Sequence, residues 1–230
     1  NDQVMRRFYF VMLFFILNAC SSEVSTYSHP YSKYFYNYNT EPKVYRYRDI
    51  IHGLNEQFHR VYGVEDSEGK HIVVERYVQD GRLTEAFNFN LDSLNVMDHM
   101  VVNALGENEK ATLYKDLFFP KSKDEVVQFT SKFSGISDST VFLMEVNRRL
   151  IDIKMRQVLS DSLECIKLVE NAIYTLLNPF TKQESQQALE TVSYYAKDIG
   201  LIEWYDTQKR SHFQLEDILS QEKWIKLISE

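Results

Sequence analysis

The sequence is poor in the residues that staple, bend or catalyse. Its 230 residues include only two cysteines, four prolines and seven glycines. Cys20 and Cys165 cannot supply the disulfide framework that holds small secreted domains. A folded body must therefore rest on its hydrophobic core, and a chain of this length can bury a sizeable one. With so few glycines and prolines, the turns fall to Asn, Asp and Ser. Positive charge is also scarce: 26 Lys and Arg stand against 33 Asp and Glu, for a net charge of −7. A nucleic-acid binder needs a basic footprint to neutralise phosphates, so that class is disfavoured. No apolar run reaches the roughly 20 residues of a spanning helix. Gly-x-Gly-x-x-Gly, the P-loop, Gly-x-Ser-x-Gly, His-Glu-x-x-His and Cys-x-x-Cys are all missing. The expectation is a non-enzymatic protein with no catalytic residue, no cofactor and no metal.

What is present begins at the N-terminus. Asn1–Val4 precede Met5, which reads as the start of translation, and Arg6 and Arg7 form a positive patch. Phe8–Leu17 (FYFVMLFFIL) is a short apolar run, the length and flanks of a signal-peptide core rather than of a membrane span. Leu17-Asn18-Ala19-Cys20 follows. This run resembles the lipobox of bacterial lipoproteins: an aliphatic residue, then a small residue directly before an obligatory cysteine. Asn18 lies outside the usual small set. The resemblance implies that residues 1–19 are removed as a signal peptide and that the Cys20 sulfur takes a diacylglycerol thioether. Ser21 and Ser22 stand where an Asp would imply retention in the inner membrane. They imply the outer membrane, with the body facing the periplasm or the cell surface. Two or three acyl chains hold far more firmly than one.

Residues 20–42 are rich in Tyr, Ser and Asn, with Tyr27, Tyr31, Tyr34, Tyr36 and Tyr38 and no helical stripe. They read as a lipidated tether that lifts the body off the bilayer, or whose tyrosines meet the membrane surface or a partner. Residues 43–230 read as a single β-rich domain. Gln57–Val64 and His71–Val78 are strand-like around a turn at Glu65–Lys70, where Gly69 is placed for a positive φ. Asp80-Gly81 is a hairpin signal. Leu83–Asn90 alternates, and Val96–Asn103 and Thr112–Phe119 look extended. Short strands at this spacing mean an antiparallel meander.

The stretch 138–177 carries two patterns. Ile151, Met155, Val158, Ser162, Ile166, Val169, Ile173 and Leu176 fall near helical spacing. The same residues also read as strands Thr140–Val146, Leu150–Met155 and Leu163–Leu177, the first two joined by Asn147-Arg148-Arg149. Periodicity alone leaves both open. Ser162–Val169 (SLECIKLV) and Tyr194–Ile202 (YYAKDIGLI) resemble two landmarks of secreted all-β proteins and lipoproteins. These are a small-x-Cys-x-Lys-Val strand and a Tyr-Ala-Lys-Gly-Val-Gly-Leu-Val turn and strand. Asp198 stands where that pattern has Gly, and Asp tolerates the left-handed conformation better than most residues. The resemblance implies a curved sheet similar to the LolA/LolB-like half-barrels of envelope lipoproteins and lipid carriers. The expected fold is mainly β: an antiparallel meander or curved half-barrel with a short C-terminal helix over Glu216–Ser229. The alternative is an α+β fold with a long helix at 138–177.

Candidate chemistry is sparse. Hairpin pairing could bring His59 near His71, and Asp98-His99 is an acid–base dipeptide. A metal site needs three or four converging ligands, which these do not reach. Glu75, Arg76, Arg82 and Glu85 suggest a cross-strand ion-pair ladder. Trp204-Tyr205 and Trp224 could line a cavity if the sheet curves. Cys165 reads as a small buried apolar residue. Two functions follow: a membrane-anchored accessory subunit that binds other envelope components, or a carrier or sensor of an apolar ligand such as a lipid.

Overall fold

The computed structural model describes residues 29–53, 55–103, 106–135 and 140–229. The chain is mainly β. Among the described residues, thirteen strands form one antiparallel sheet that is open in its hydrogen bonding, and one short helix, α1 (Gln221–Ser229), follows the last strand. The strands are β1 (Lys43–Asp49), β2 (Glu56–Asp66), β3 (Gly69–Val78), β4 (Leu83–Asn90), β5 (Val96–Val102), β6 (Asn108–Lys110) and β7 (Thr112–Asp116). They continue as β8 (Val126–Ser134), β9 (Val141–Val158), β10 (Asp161–Asn178), β11 (Gln183–Ala196), β12 (Gly200–Asp206) and β13 (His212–Ser220). Neighbours in sequence pair in space, and the two halves meet where β1 pairs with β13.

Turn chemistry sets the hairpins. Gly69 (φ +114°) and Gly81 (φ +76°) take the conformations their positions demand. Asp66 Oδ1 accepts from the Glu68 amide at 2.8 Å to close the β2–β3 turn. Ladder registers shift at Arg46/Tyr47, Arg76/Tyr77, Lys167/Leu168 and Tyr194/Tyr195, and such bulges bend a sheet and increase its twist. The bending brings the two edges together. β6 and β7 lie at opposite ends of the strand order yet are separated in sequence by Ala111 alone. The Ala111 amide donates to the His99 carbonyl on β5, while Thr112 pairs with Lys132 on β8. The inner face is thereby wrapped around an aromatic core that includes Phe87, Phe89, Phe118 and Phe129, in edge-to-face and tilted contacts. Outside the sheet, Trp224 of α1 packs on Val44 and Phe58.

Four readings are corrected, beginning with the alternative fold. The stretch 138–177 holds no long helix among the described residues. β9 and β10 form a hairpin through Leu159 and Ser160, with Val158 opposite Asp161. Asn147-Arg148-Arg149 is no turn either, since β9 runs straight through it. The C-terminal helix starts at Gln221 rather than Glu216, because Asp217–Ser220 extend β13 and pair with β1. Finally, the segment expected as a free tether docks on the body within its described part. Tyr34, Phe35 and Tyr36 are buried in the core, and a 3-10 turn spans Ser32–Tyr34. Residues 1–19, expected as a signal peptide, and Cys20, expected as the lipid anchor, lie outside the described residues.

Candidate functional site

The curled sheet encloses a cleft of about 420 Å³. Alternation along β11 supplies one wall: Gln187, Leu189, Thr191, Ser193 and Tyr195 all face it, as the two-residue period of a strand requires. His59 comes from β2, Arg76 from β3, Arg148 from β9, Glu170 and Tyr174 from β10, and Leu201 and Trp204 from β12. β11 pairs with β12 only from Thr191 onward, so Gln187 and Leu189 form a rim beyond the end of β12. A deeper chamber of about 230 Å³ shares Arg76, Arg148, Glu170 and Tyr174 with the cleft and continues to Glu85, His99 and Met144.

The interior is thus furnished with ion pairs. Arg148 donates to Glu170 at 2.7 Å and to the Phe118 carbonyl at 2.8 Å, and its guanidinium lies 3.6 Å over the Phe118 ring. Ser193 Oγ donates to the other Glu170 oxygen at 3.1 Å. Arg76 donates to Glu85 at 2.6 Å, and the second Glu85 oxygen lies 3.3 Å from His99 Nε2. Burial alone would raise the Glu85 pKa. The charge of Arg76 and the bonds from His99 and Arg76 outweigh it and hold the carboxyl at about 2. His59 stacks on Trp204 and its Nδ1 lies 3.2 Å from the Tyr36 hydroxyl. Burial, and then the nearby charge of Arg76, push its pKa well below the usual histidine value, so the ring is neutral. At the mouth, Asp206 accepts from the Gln208 and Arg210 amides and from Arg210 Nε.

The residues singled out from sequence fare unevenly. His59 and His71 are not brought together: His59 lies opposite Arg76, and His71 lies opposite Val64, further along the ladder. His71 bonds Asp66 instead. Asp98 and His99 point to opposite faces, His99 inward and Asp98 to Lys110. Among the described residues, no group of three His, Cys, Asp or Glu side chains could hold a metal ion. The ion-pair ladder is half right. Arg76 and Glu85 do pair, but inside the sheet, whereas Glu75 bonds Arg60 and Arg82 lies near Asp80. Trp204 lines the cleft, whereas Tyr205 contacts Tyr194 and His212, and Trp224 lies on the helix and packs against Val44 and Phe58. Cys165 is buried, and burial lifts its thiol pKa to about 11.

Sequence reasoning missed Arg148, Glu170 and Tyr195. One signal was available. Arg148 alternates with Val146 and Leu150, so any strand reading that buries those two must bury the arginine as well.

No family model and no curated protein matches the sequence. Two solved structures are similar to it. One, from Parabacteroides distasonis and named a "putative lipoprotein", has a TM-score of 0.50 at 13% identity, covering 81% of this chain and 98% of its own. The other, from Bacteroides fragilis and named a "putative exported protein with YmcC-like fold", has a TM-score of 0.49 at 15% identity, covering 81% of this chain and 99% of its own. At 13% identity the likeness to the Parabacteroides structure concerns the fold alone.

Proposed function

We propose that the chain is an exported protein held at the outer membrane by lipid on Cys20, with a β body that serves as a non-enzymatic binding component of the envelope. The observation that carries this reading is the docking of Tyr34, Phe35 and Tyr36 into the core. His29, the first of the described residues, is already held to the body: its Nε2 lies 3.2 Å from the Phe119 carbonyl. At most residues 21–28 then separate the proposed anchor from the body, a span of no more than about 32 Å from Cys20 to His29 even when fully extended. A body joined so closely to its lipid works at the membrane surface.

The apolar run Phe8–Leu17 and the Leu17–Cys20 motif supply the export and lipidation signals. The lipoprotein name of the Parabacteroides structure agrees with them. The cleft favours binding over acid–base catalysis because its carboxylates are already engaged: Glu170 by Arg148 and Ser193, and Asp206 by Arg210 and backbone amides. The test is Cys20→Ala in cells fed labelled palmitate. The native chain should fractionate with membranes and carry label. The variant should lose the label and become soluble or stay uncut. Normal processing and unchanged membrane retention of the variant would overturn the anchor. Envelope cross-linking that recovers the native protein only as an unlinked monomer would overturn the accessory role.

The cleft favours a second reading, a carrier or sensor of a small ligand. Its volume suits one, since ligand sites run from about 300 to 1,000 Å³. Its lining moves the ligand away from a purely apolar lipid, because Arg76, Arg148, Glu170 and Asp206 share the walls with Leu189, Leu201 and Trp204.

A further inference from the structure

We infer that the cleft binds a small molecule bearing an oxyanion, a carboxylate or phosphate group, on an aromatic or apolar body. This rests on the reading of the cleft as a ligand site and adds the chemistry of the ligand. The argument comes from which polar groups are left over. Nε of Arg76, Nε of Arg148 and Nε2 of His59 are buried without a hydrogen-bond partner among the described residues, and all three side chains line the cleft. Arg148 is 5% exposed and His59 1%. An arginine Nε–H can only donate, and a buried donor left unpaired is costly. In the tautomer whose Nδ1 accepts from the Tyr36 hydroxyl, His59 Nε2 bears the proton and becomes a third donor.

The surplus is of donors only. Glu85, Glu170 and Asp206 are already paired with Arg76, Arg148 and Arg210, so a cation would find no uncompensated carboxylate. A purely apolar occupant would cover the arginines and leave their Nε–H groups unpaired. An oxyanion would supply acceptors for these donors once the guanidinium groups turn toward it, with charge-assisted bonds that are stronger than neutral ones. Tyr174, Tyr195, Leu189 and Leu201 offer the remainder of the wall to a flat or apolar body.

The test uses the full chain carrying Trp224→Phe, which leaves Trp204 as its only tryptophan and so as a reporter within the cleft. Phenyl phosphate and benzoate are titrated against benzyl alcohol, their neutral counterpart. At least one oxyanion probe should change Trp204 fluorescence saturably and bind at least about ten-fold more tightly than benzyl alcohol. The preferred probe tells phosphate from carboxylate. Arg148→Gln should weaken that binding by about ten-fold or more. Because Arg148 is buried, a second variant guards against misfolding. Gln187→Phe changes an exposed rim residue, and it should obstruct the mouth and weaken binding while circular dichroism stays unchanged. Equal affinity for benzyl alcohol and the oxyanions would keep the cleft as a site but overturn the ligand class. No saturable signal from any probe up to about 10 mM would overturn both.

Discussion

Replacing Phe35 by alanine asks whether the segment before β1 is a leash or part of the core. The side chain is 2% exposed. Its ring meets those of Phe89 at 4.9 Å, Tyr36 at 5.3 Å and Phe119 at 6.0 Å, each near edge-to-face. Truncating a phenylalanine in such a setting removes its transfer free energy and leaves a cavity, a loss of about 3–5 kcal/mol. For a domain of this size each kcal/mol lowers Tm by about 2–4 °C, so the midpoint should fall by roughly 6–20 °C. Urea unfolding followed by circular dichroism reads the free energy directly. Glu41→Ala, an exposed change in the same segment, serves as control and should stay within about 0.5 kcal/mol. If Phe35→Ala falls in that same narrow band, the segment is a leash after all. The short reach from the proposed lipid to the body then lengthens, and the main support for the proposed position at the membrane goes with it.

Two further outcomes follow from the geometry. Gly200 has φ +101°, and a Cβ there would lie 2.5 Å from Cδ1 of Tyr36. Gly200→Ala should therefore cost about 2–4 kcal/mol, from strained backbone and overpacking together. Adding Tyr36→Ala should relieve part of that cost, and strict additivity of the two changes in urea unfolding would refute the contact. Glu85 titrates at about 2 in the fold against 4.5 for the free side chain. A carboxyl with a depressed pKa adds stability that is fully present above about pH 4.5 and fades as pH falls toward 2. By linkage this is on the order of 3 kcal/mol, more than half of it gone by pH 3. Unfolding free energies at pH 6 and pH 3 should differ less in Glu85→Gln than in the native chain, and an equal difference in both would reject the assignment.

The strands were legible where one face is apolar and the other polar, as in Leu83–Asn90, which is β4 residue for residue. β9 and β10 hid because apolar residues also stand on their outer side. Met155 and Ile173 are exposed, and together with the inward Val158 and Ile166 they imitate a helical stripe. Asp217–Ser220 joined a helical pattern in sequence, but their partners Lys43–Arg46 lie far away along the chain, and no local signal announces such a pairing. The cleft was the least legible part. A charged side chain on a strand reads as solvent-facing. Arg76, Glu85, Arg148 and Glu170 escape that reading only because the sheet curls until its edges meet at Ala111, which gives each charge an opposite partner inside.

The landmark at Tyr194–Ile202 gains a physical meaning from what rests on it. Asp198 (φ +62°) and Gly200 both take left-handed backbone, so the substitution of Asp for Gly preserved the turn. That turn receives the N-terminal segment: the Asp198 amide donates to the Lys33 carbonyl, Asn37 Nδ2 donates to the Asp198 carbonyl, and the Tyr36 ring lies against the bare Cα of Gly200. A side chain at position 200 would expel the ring. The hydroxyl of that same ring lies 3.2 Å from His59 Nδ1 and 3.4 Å from the Tyr47 hydroxyl, which donates to the Leu201 carbonyl. The segment before β1 therefore fixes the ring plane of His59, a residue that lines the cleft. That segment and the cleft share one buried aromatic contact, which explains why tyrosines that look like linker composition are held so deeply.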